Sequence, residues 1–343
     1  MPAFSTRFAL AAACLLISVA TMAKDAPEPF ALQPGAELTA GADSALDWSN
    51  SAAFKGVRRV VVPEFSIEFL QGNAAGSSAG KASVAQRWRL EGVGPAEFQA
   101  ITDAAYAQLL ATLQAAGFDV VGAETMRAHP AFAKMQAQGK PSGHATGAGL
   151  AMAPAGMLVM PLGTVGQRSD GGAMGGALKT LQTFSAVSSA ISGGFDTQEM
   201  ARGLDATVLQ LHLAVDFSQV GAKRGFVQRM SGKAEVSGKA QPSIAAGAQV
   251  SFMTPATQGA TLQLARPLLL PEDTFNGTRE ATSSATKTAN VAGALLRFAA
   301  GVGGGHETVE YEVSAEPEQY KRRLIEGLGQ FNAAVAARLA AAR

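Results

Sequence analysis

Four histidines, one cysteine and two pairs of carboxylates and arginines are the side chains of this 343-residue sequence to test first for chemistry. The histidines are His129, His144, His212 and His306, and no two stand at a ligand spacing such as His-x-x-x-His. His212 and Asp216 share one face of an alternating strand, but four residues along a strand span about 13 Å, too far to ligate one ion. His212 therefore reads as an exposed or sheet-facing side chain, and no metal site is expected. Glu64 and Glu68 lie on a strand whose expected hairpin partner carries Arg87 and Arg89. Cross-strand ion pairing on a solvated face explains these four with less strain than a glycosidase pair, which would need one carboxyl kept protonated by burial.

Other motifs fall short of the chemistry they suggest. The run Gly171-Gly172-Ala173-Met174-Gly175-Gly176-Ala177-Leu178-Lys179-Thr180 looks like a phosphate loop. A P-loop lysine follows its last glycine directly, whereas Ala177 and Leu178 intervene here, so a loop is expected and no cofactor. There is no Gly-x-Ser-x-Gly, and Ser188-Ser189 and Ser283-Ser284 lack flanking motifs, so no catalytic residue is assigned. Asn276-Gly277-Thr278 forms a glycosylation sequon that reads better as a turn.

The compartment is the clearest reading. Arg7 supplies a positive start, Phe8 to Val19 an apolar core, and Thr21-Met22-Ala23 small side chains at −3 and −1. That core is too short to span a bilayer, so residues 1–23 are expected to be a signal peptide cleaved near Ala23-Lys24. Cys14 sits inside it, without the large aliphatic residue of a lipoprotein cleavage site, so the mature chain is expected to carry no thiol and no lipid. Cleavage removes a single cation, which leaves 27 basic residues facing the 27 acidic ones. A neutral chain offers no electrostatic footprint for nucleic acid. Charged residues make up 16% of the chain, against the roughly 25% of a typical globular domain.

Residues 24–55 are rich in Pro, Ala and Gly and are expected to be a linker, followed by a single domain over 56–343. Val57 to Leu70 alternates as a strand in which Pro63 marks a bend, and residues 71–80 read as a loop leading to a second strand, Val84 to Leu90. The spacing of Phe98, Ile101, Ala105, Leu109 and Leu113 predicts a helix from Pro95 that Gly117 stops. Phe118 to Val121 is a short strand, and Ala123 to Met135 is helical with a break at His129-Pro130. Gly156 to Leu162 is a candidate buried strand, and residues 163–203 form a Gly/Ser insert with an amphipathic stretch over 178–191. Thr207 to Ser218 carries the strongest alternation, with further strands at Phe226 to Val236, Gln249 to Met253, Thr261 to Leu270 and Glu307 to Ser314. Pro317 to Arg343 is a closing helix with Tyr320, Leu324, Leu328, Phe331, Val335 and Leu339 on one stripe.

The run Leu109-Leu110 to Ala115-Ala116-Gly117-Phe118-Asp119-Val120-Val121, after a Val-rich strand ending in Phe65, resembles a known envelope domain. It is similar to the periplasmic α/β domain of the curli-secretion CsgG and TolB N-terminal-like group, over residues 57–220. The resemblance implies a non-enzymatic envelope protein that binds partners or assembles, and it carries over no functional residue. The long hairpin before the first helix departs from that pattern.

The expected fold is α+β: a mixed, largely antiparallel sheet with helices packed on it, including the long C-terminal one. The expected function is a binding or assembly role in the periplasm or at the outer membrane, with an envelope protein or polymer as partner. Homo-oligomers and peripheral membrane association fit the same reading. A first alternative is a pore or secretion subunit inserting the segment 240–265, since no charge interrupts Ala240 to Ala265. That segment is short and contains Pro242 and Pro255, where a spanning hairpin needs two runs of about nine to eleven residues. A second alternative is a hydrolase without a recognisable motif.

Overall fold

A computed structural model describes residues 30–31, 45–79, 82–160, 195–223, 235–299 and 306–343. The expected signal peptide (residues 1–23), the run Gly171–Thr180, the stretch 178–191 and residues 226–234 lie outside them. The chain begins with β1 (Phe30–Ala31) and β2 (Leu46–Trp48), then β3 (Arg59–Leu70), β4 (Gly72–Ala79) and β5 (Ala82–Glu91). Helix α1 (Pro95–Ala115), β6 (Asp119–Val120), α2 (Ala123–Ala128), α3 (Pro130–Gln136), β7 (His144–Ala145) and β8 (Gly149–Met152) follow. A helix at 195–203 precedes β9 (Thr207–Lys223), β10 (Glu235–Ile244), β11 (Gln249–Met253), β12 (Gly259–Leu264) and β13 (Leu268–Leu269). The chain closes with β14 (Gly277–Glu280), α4 (Ser284–Ala299), β15 (His306–Ser314) and α5 (Pro317–Ala342).

The main sheet grows outward from β3 and β9, which run parallel from Val60↔Thr207 to Phe69↔Val215. The register shifts between Val61 and Glu64, where Pro63 withholds its donor, and the Tyr106 hydroxyl caps the Val62 carbonyl at 3.0 Å. Burial pushes that phenol up to about 12. Antiparallel β11 and β10 lie in succession along β9, and β12 pairs with β11 and then with β2. On its other side β3 pairs with β6 and β8. A second sheet runs in the order β14-β15-β5-β4, with β15 parallel to β5.

Alternation sets the core. Phe65, Ile67 and Phe69 of β3 and Leu209, Leu211 and Leu213 of β9 turn one way and pack with Phe98, Ile101 and Leu109 of α1 and Leu324, Leu328 and Phe331 of α5. Phe69 stacks on Phe98 with centroids 4.5 Å apart. Asn332 of α5 donates to the Ala105 carbonyl of α1 at 2.9 Å, so the two helices are joined by a buried polar contact as well as apolar packing. Glu97 accepts from the Gly94 N–H at the start of α1, and Gly117 ends the turn after it at φ +86°. At the start of α5, Glu316 accepts from the Glu318 and Gln319 N–H groups, and these bonds hold its carboxyl below the usual range. The molecule is α+β, with mixed sheets and a long C-terminal helix.

Several expectations change. The supposed loop 71–80 contains β4, and the hairpin is β4–β5 in the second sheet rather than β3–β5. Its small Gly, Ala and Ser residues carry little strand propensity of their own, and pairing with β5 supplies what composition does not. Gly156 to Val159 adds only a single bridge, Lys140↔Val159, and Met157 and Val159 instead pack in an apolar cluster with Met126, Phe132 and Met200. The end of the supposed linker belongs to the fold, since Leu46 and Phe54 are fully buried. Strand β14 and helix α4 were not anticipated, and α4 is held by Asn290 donating to the Thr308 carbonyl of β15.

Candidate functional site

The face of the main sheet opposite the large core holds the chemistry. Because β3 and β9 alternate in register, Glu64, Ser66 and Glu68 share that face with Gln210 and His212. Ser66 stands opposite His212 and Glu64 opposite Gln210. The Ser66 Oγ is 2.8 Å from His212 Nδ1, and the Glu64 Oε1 is 2.9 Å from His212 Nε2. Glu64 and His212 are 1% and 3% exposed, so this is a buried contact between a carboxylate and an imidazole.

The two contacts of His212 differ in kind. The contact at Nε2 is close but is not a directed hydrogen bond, since neither Oε1 nor Nε2 has an aligned partner. The other carboxylate oxygen takes a directed bond, from Gln210 Nε2 at 2.5 Å. With the ring proton on Nε2, Nδ1 accepts from the Ser66 hydroxyl.

These contacts correct the sequence reading. Glu64 is not paired with Arg87 on a solvated face. Arg87 stands 3.7 Å from Glu310 and Arg89 3.8 Å from Glu91, all on the second sheet. Both are surface pairs of small energetic weight. Glu68 faces Thr146 of the β7–β8 hairpin, and burial raises its carboxyl above the usual range. His212 is sheet-facing and buried, and its partners come from a strand 146 residues away, a neighbourhood that no spacing rule reaches.

The polar face continues across the sheet. Gln249 of β11 lies beside His212, Gln263 of β12 beside Gln249, and Asp47 of β2 beside Gln263. Together with Ser66 they make one row of five polar side chains. The neighbouring row runs Glu64, Gln210, Ser251 and Thr261, and the Thr261 N–H is bound by the Ser49 hydroxyl at 2.8 Å. Exposure rises along the first row, from buried Ser66 and His212 to exposed Gln263 and Asp47, while the second passes from buried Glu64 to half-buried Gln210, Ser251 and Thr261. At the start of β3 and β9 an apolar cluster bounds the rows, where Val61 and Val208 meet Met126, Phe132 and Met200. Toward the other end of β9, Asn73 Nδ2 reaches the Asp216 carboxylate at 3.3 Å and Ser218 Oγ at 3.0 Å.

A serine, a histidine and a glutamate in contact call for the triad test. Ser66 is 7% exposed and sits within a strand paired on both sides, so its neighbouring N–H groups serve the ladder rather than an oxyanion. The Gln210 amide, a side-chain donor nearby, is directed at Glu64. The trio places a base beside a hydroxyl that is itself buried. Among the described residues no group of three His, Cys, Asp or Glu side chains could hold a metal ion.

No family model, curated protein or solved structure matches this chain.

Removing one member of the buried contact leaves polar atoms of the other buried without their neighbour. Glu64→Ala and His212→Ala are each expected to lower unfolding stability by about 1–3 kcal/mol. Joint replacement, Glu64→Leu with His212→Leu, recovers most of that loss when measured by denaturant unfolding. Costs that simply add in the double variant would mean that the two groups do not interact.

Proposed function

We propose that the protein is an exported cell-envelope protein with a non-catalytic binding or assembly role, and that it binds through the polar face of the main sheet. Residues 1–23 support export, by their cation, apolar core and small-residue end. The observation that carries the binding role is the pair of polar rows from Ser66 to Asp47 and from Glu64 to Thr261. A sheet face covered by its own core would be apolar, and a face left only to water has no need of a buried anchor such as Glu64–His212. Here amides and hydroxyls sit on a rigid floor that becomes progressively more accessible, an arrangement suited to hydrogen-bonding a partner.

The pore alternative finds less support. In the segment 240–265, Val250, Phe252, Leu262 and Leu264 are buried in the core, so the side of the hairpin that lipid would need is already occupied. Among the described residues no helix is long and apolar enough to cross a membrane.

The test uses the mature chain, immobilised and exposed to envelope extract. The paired change Gln249→Ala with Gln263→Ala touches half-buried and exposed side chains and should leave the unfolding midpoint unchanged. A component retained by wild type and by Arg87→Ala, but lost by that face variant, is the expected result; retention indifferent to the face would contradict the proposal. A fluorophosphonate probe is expected to leave Ser66 unlabelled. Labelling that vanishes in Ser66→Ala would replace the binding role with the hydrolase reading.

A further inference from the structure

The side chains on the polar face also restrict what could lie on it. Anionic polymers, whether nucleic acid or acidic polysaccharide, require lysine or arginine, and neither occurs at any position of the two rows. Asp47 is exposed at the β2 end of this face and Glu68 lies at its β3 end, so the charge present repels anions. A protein partner would be expected to seat on aromatic, methionine or arginine anchors at the centre of its footprint. The rows supply glutamine, serine and threonine there instead, and the exposed large apolar side chains among the described residues, Phe195 and Val291, belong to neither row.

What remains are groups that both donate and accept. An amide carries both functions and so does a hydroxyl, which matches a ligand whose own surface is hydroxyls. Both rows carry such groups on adjacent strands, Gln249 and Gln263 in one and Ser251 and Thr261 in the other, at the spacing of about 4.8 Å between neighbouring strands. A regular array of this kind is met best by a chain that also repeats a polar unit along its length.

We infer that the face takes a neutral, hydroxyl-rich glycan laid across the strands from β9 toward β2. This assignment rests on the binding role proposed above and adds the chemical class of the partner. The contact is made of hydrogen bonds without an aromatic platform, so each sugar contributes little and affinity accumulates with length.

Isothermal titration of the mature chain with uncharged oligosaccharides tests it, using cellohexaose and chitohexaose as probes and polygalacturonate and a Gly/Ser peptide of similar length as comparators. At least one hexasaccharide should bind about tenfold more tightly than its disaccharide, and Gln249→Ala with Gln263→Ala should weaken it about tenfold, the loss of one or two net hydrogen bonds. Binding of polygalacturonate or of the peptide in preference to both hexasaccharides would overturn the glycan assignment. So would the absence of glycan binding in a chain that still retains envelope material through this face, and in that case the binding role would stand. If the face variant changes neither glycan binding nor envelope retention, the binding role falls as well.

Discussion

Strands β3 and β9 run parallel, so the chain must leave the end of one and travel back before the other can pair with it. Everything from Gln71 to Ala206 is that return path. It contains the β4–β5 hairpin of the second sheet, helix α1 on the apolar face, and the small elements β6 to β8 along the far edge of β3. Later strands then add to β9 from its other side, which leaves β3 and β9 at the centre with both faces to satisfy. One face is satisfied by the phenylalanines and leucines that meet α1 and α5. The other is satisfied at its buried end by Glu64, His212, Ser66 and Gln210.

That polar solution is not the one stability alone would select. Burying polar groups costs free energy that their mutual contacts only partly return, so apolar side chains of similar size in their place are often neutral or stabilising. In a chain with only 16% charged residues, spending a carboxylate and an imidazole under the sheet is all the more conspicuous. The pair gains a rationale as the fixed end of a hydrogen-bonding surface. Gln210 is held by Glu64 and lies beside Ser251, which continues its row outward. A face anchored in this way keeps its donors and acceptors in register with the strands.

Local order was legible in the residues and neighbourhood was not. The alternation of Thr207 to Ser218, the stripe from Phe98 to Leu113 and the stripe from Tyr320 to Leu339 each identify their element because a single segment contains the whole signal. Strand β4 escaped because Gly72 to Ala79 has no β-branched residue, and its conformation comes from pairing with β5. The same blindness misassigned Glu64. Its alternation is visible in the sequence, but its contacts depend on β9 arriving in parallel beside it, and sequence proximity points to Arg87 and Arg89 instead. For His212, spacing along the chain reaches only residues of its own strand, where Asp216 is too distant. Of the polar rows, the alternation in Gln249 to Met253 and Thr261 to Leu264 was readable, but their alignment with His212 follows from register alone.

Hydrogen exchange of residues 24–343, followed residue by residue, bears most directly on the claim that the β3–β9 pair is the rigid spine beneath the polar face. The slowest amides should fall in β3 and in the first half of β9, exchanging only through global unfolding. Glu64→Ala should accelerate those amides more than any in the second sheet. Slowest exchange in β5 and β15 instead, with β3 and β9 opening freely, would contradict the account, because the surface proposed to bind would then have no fixed floor.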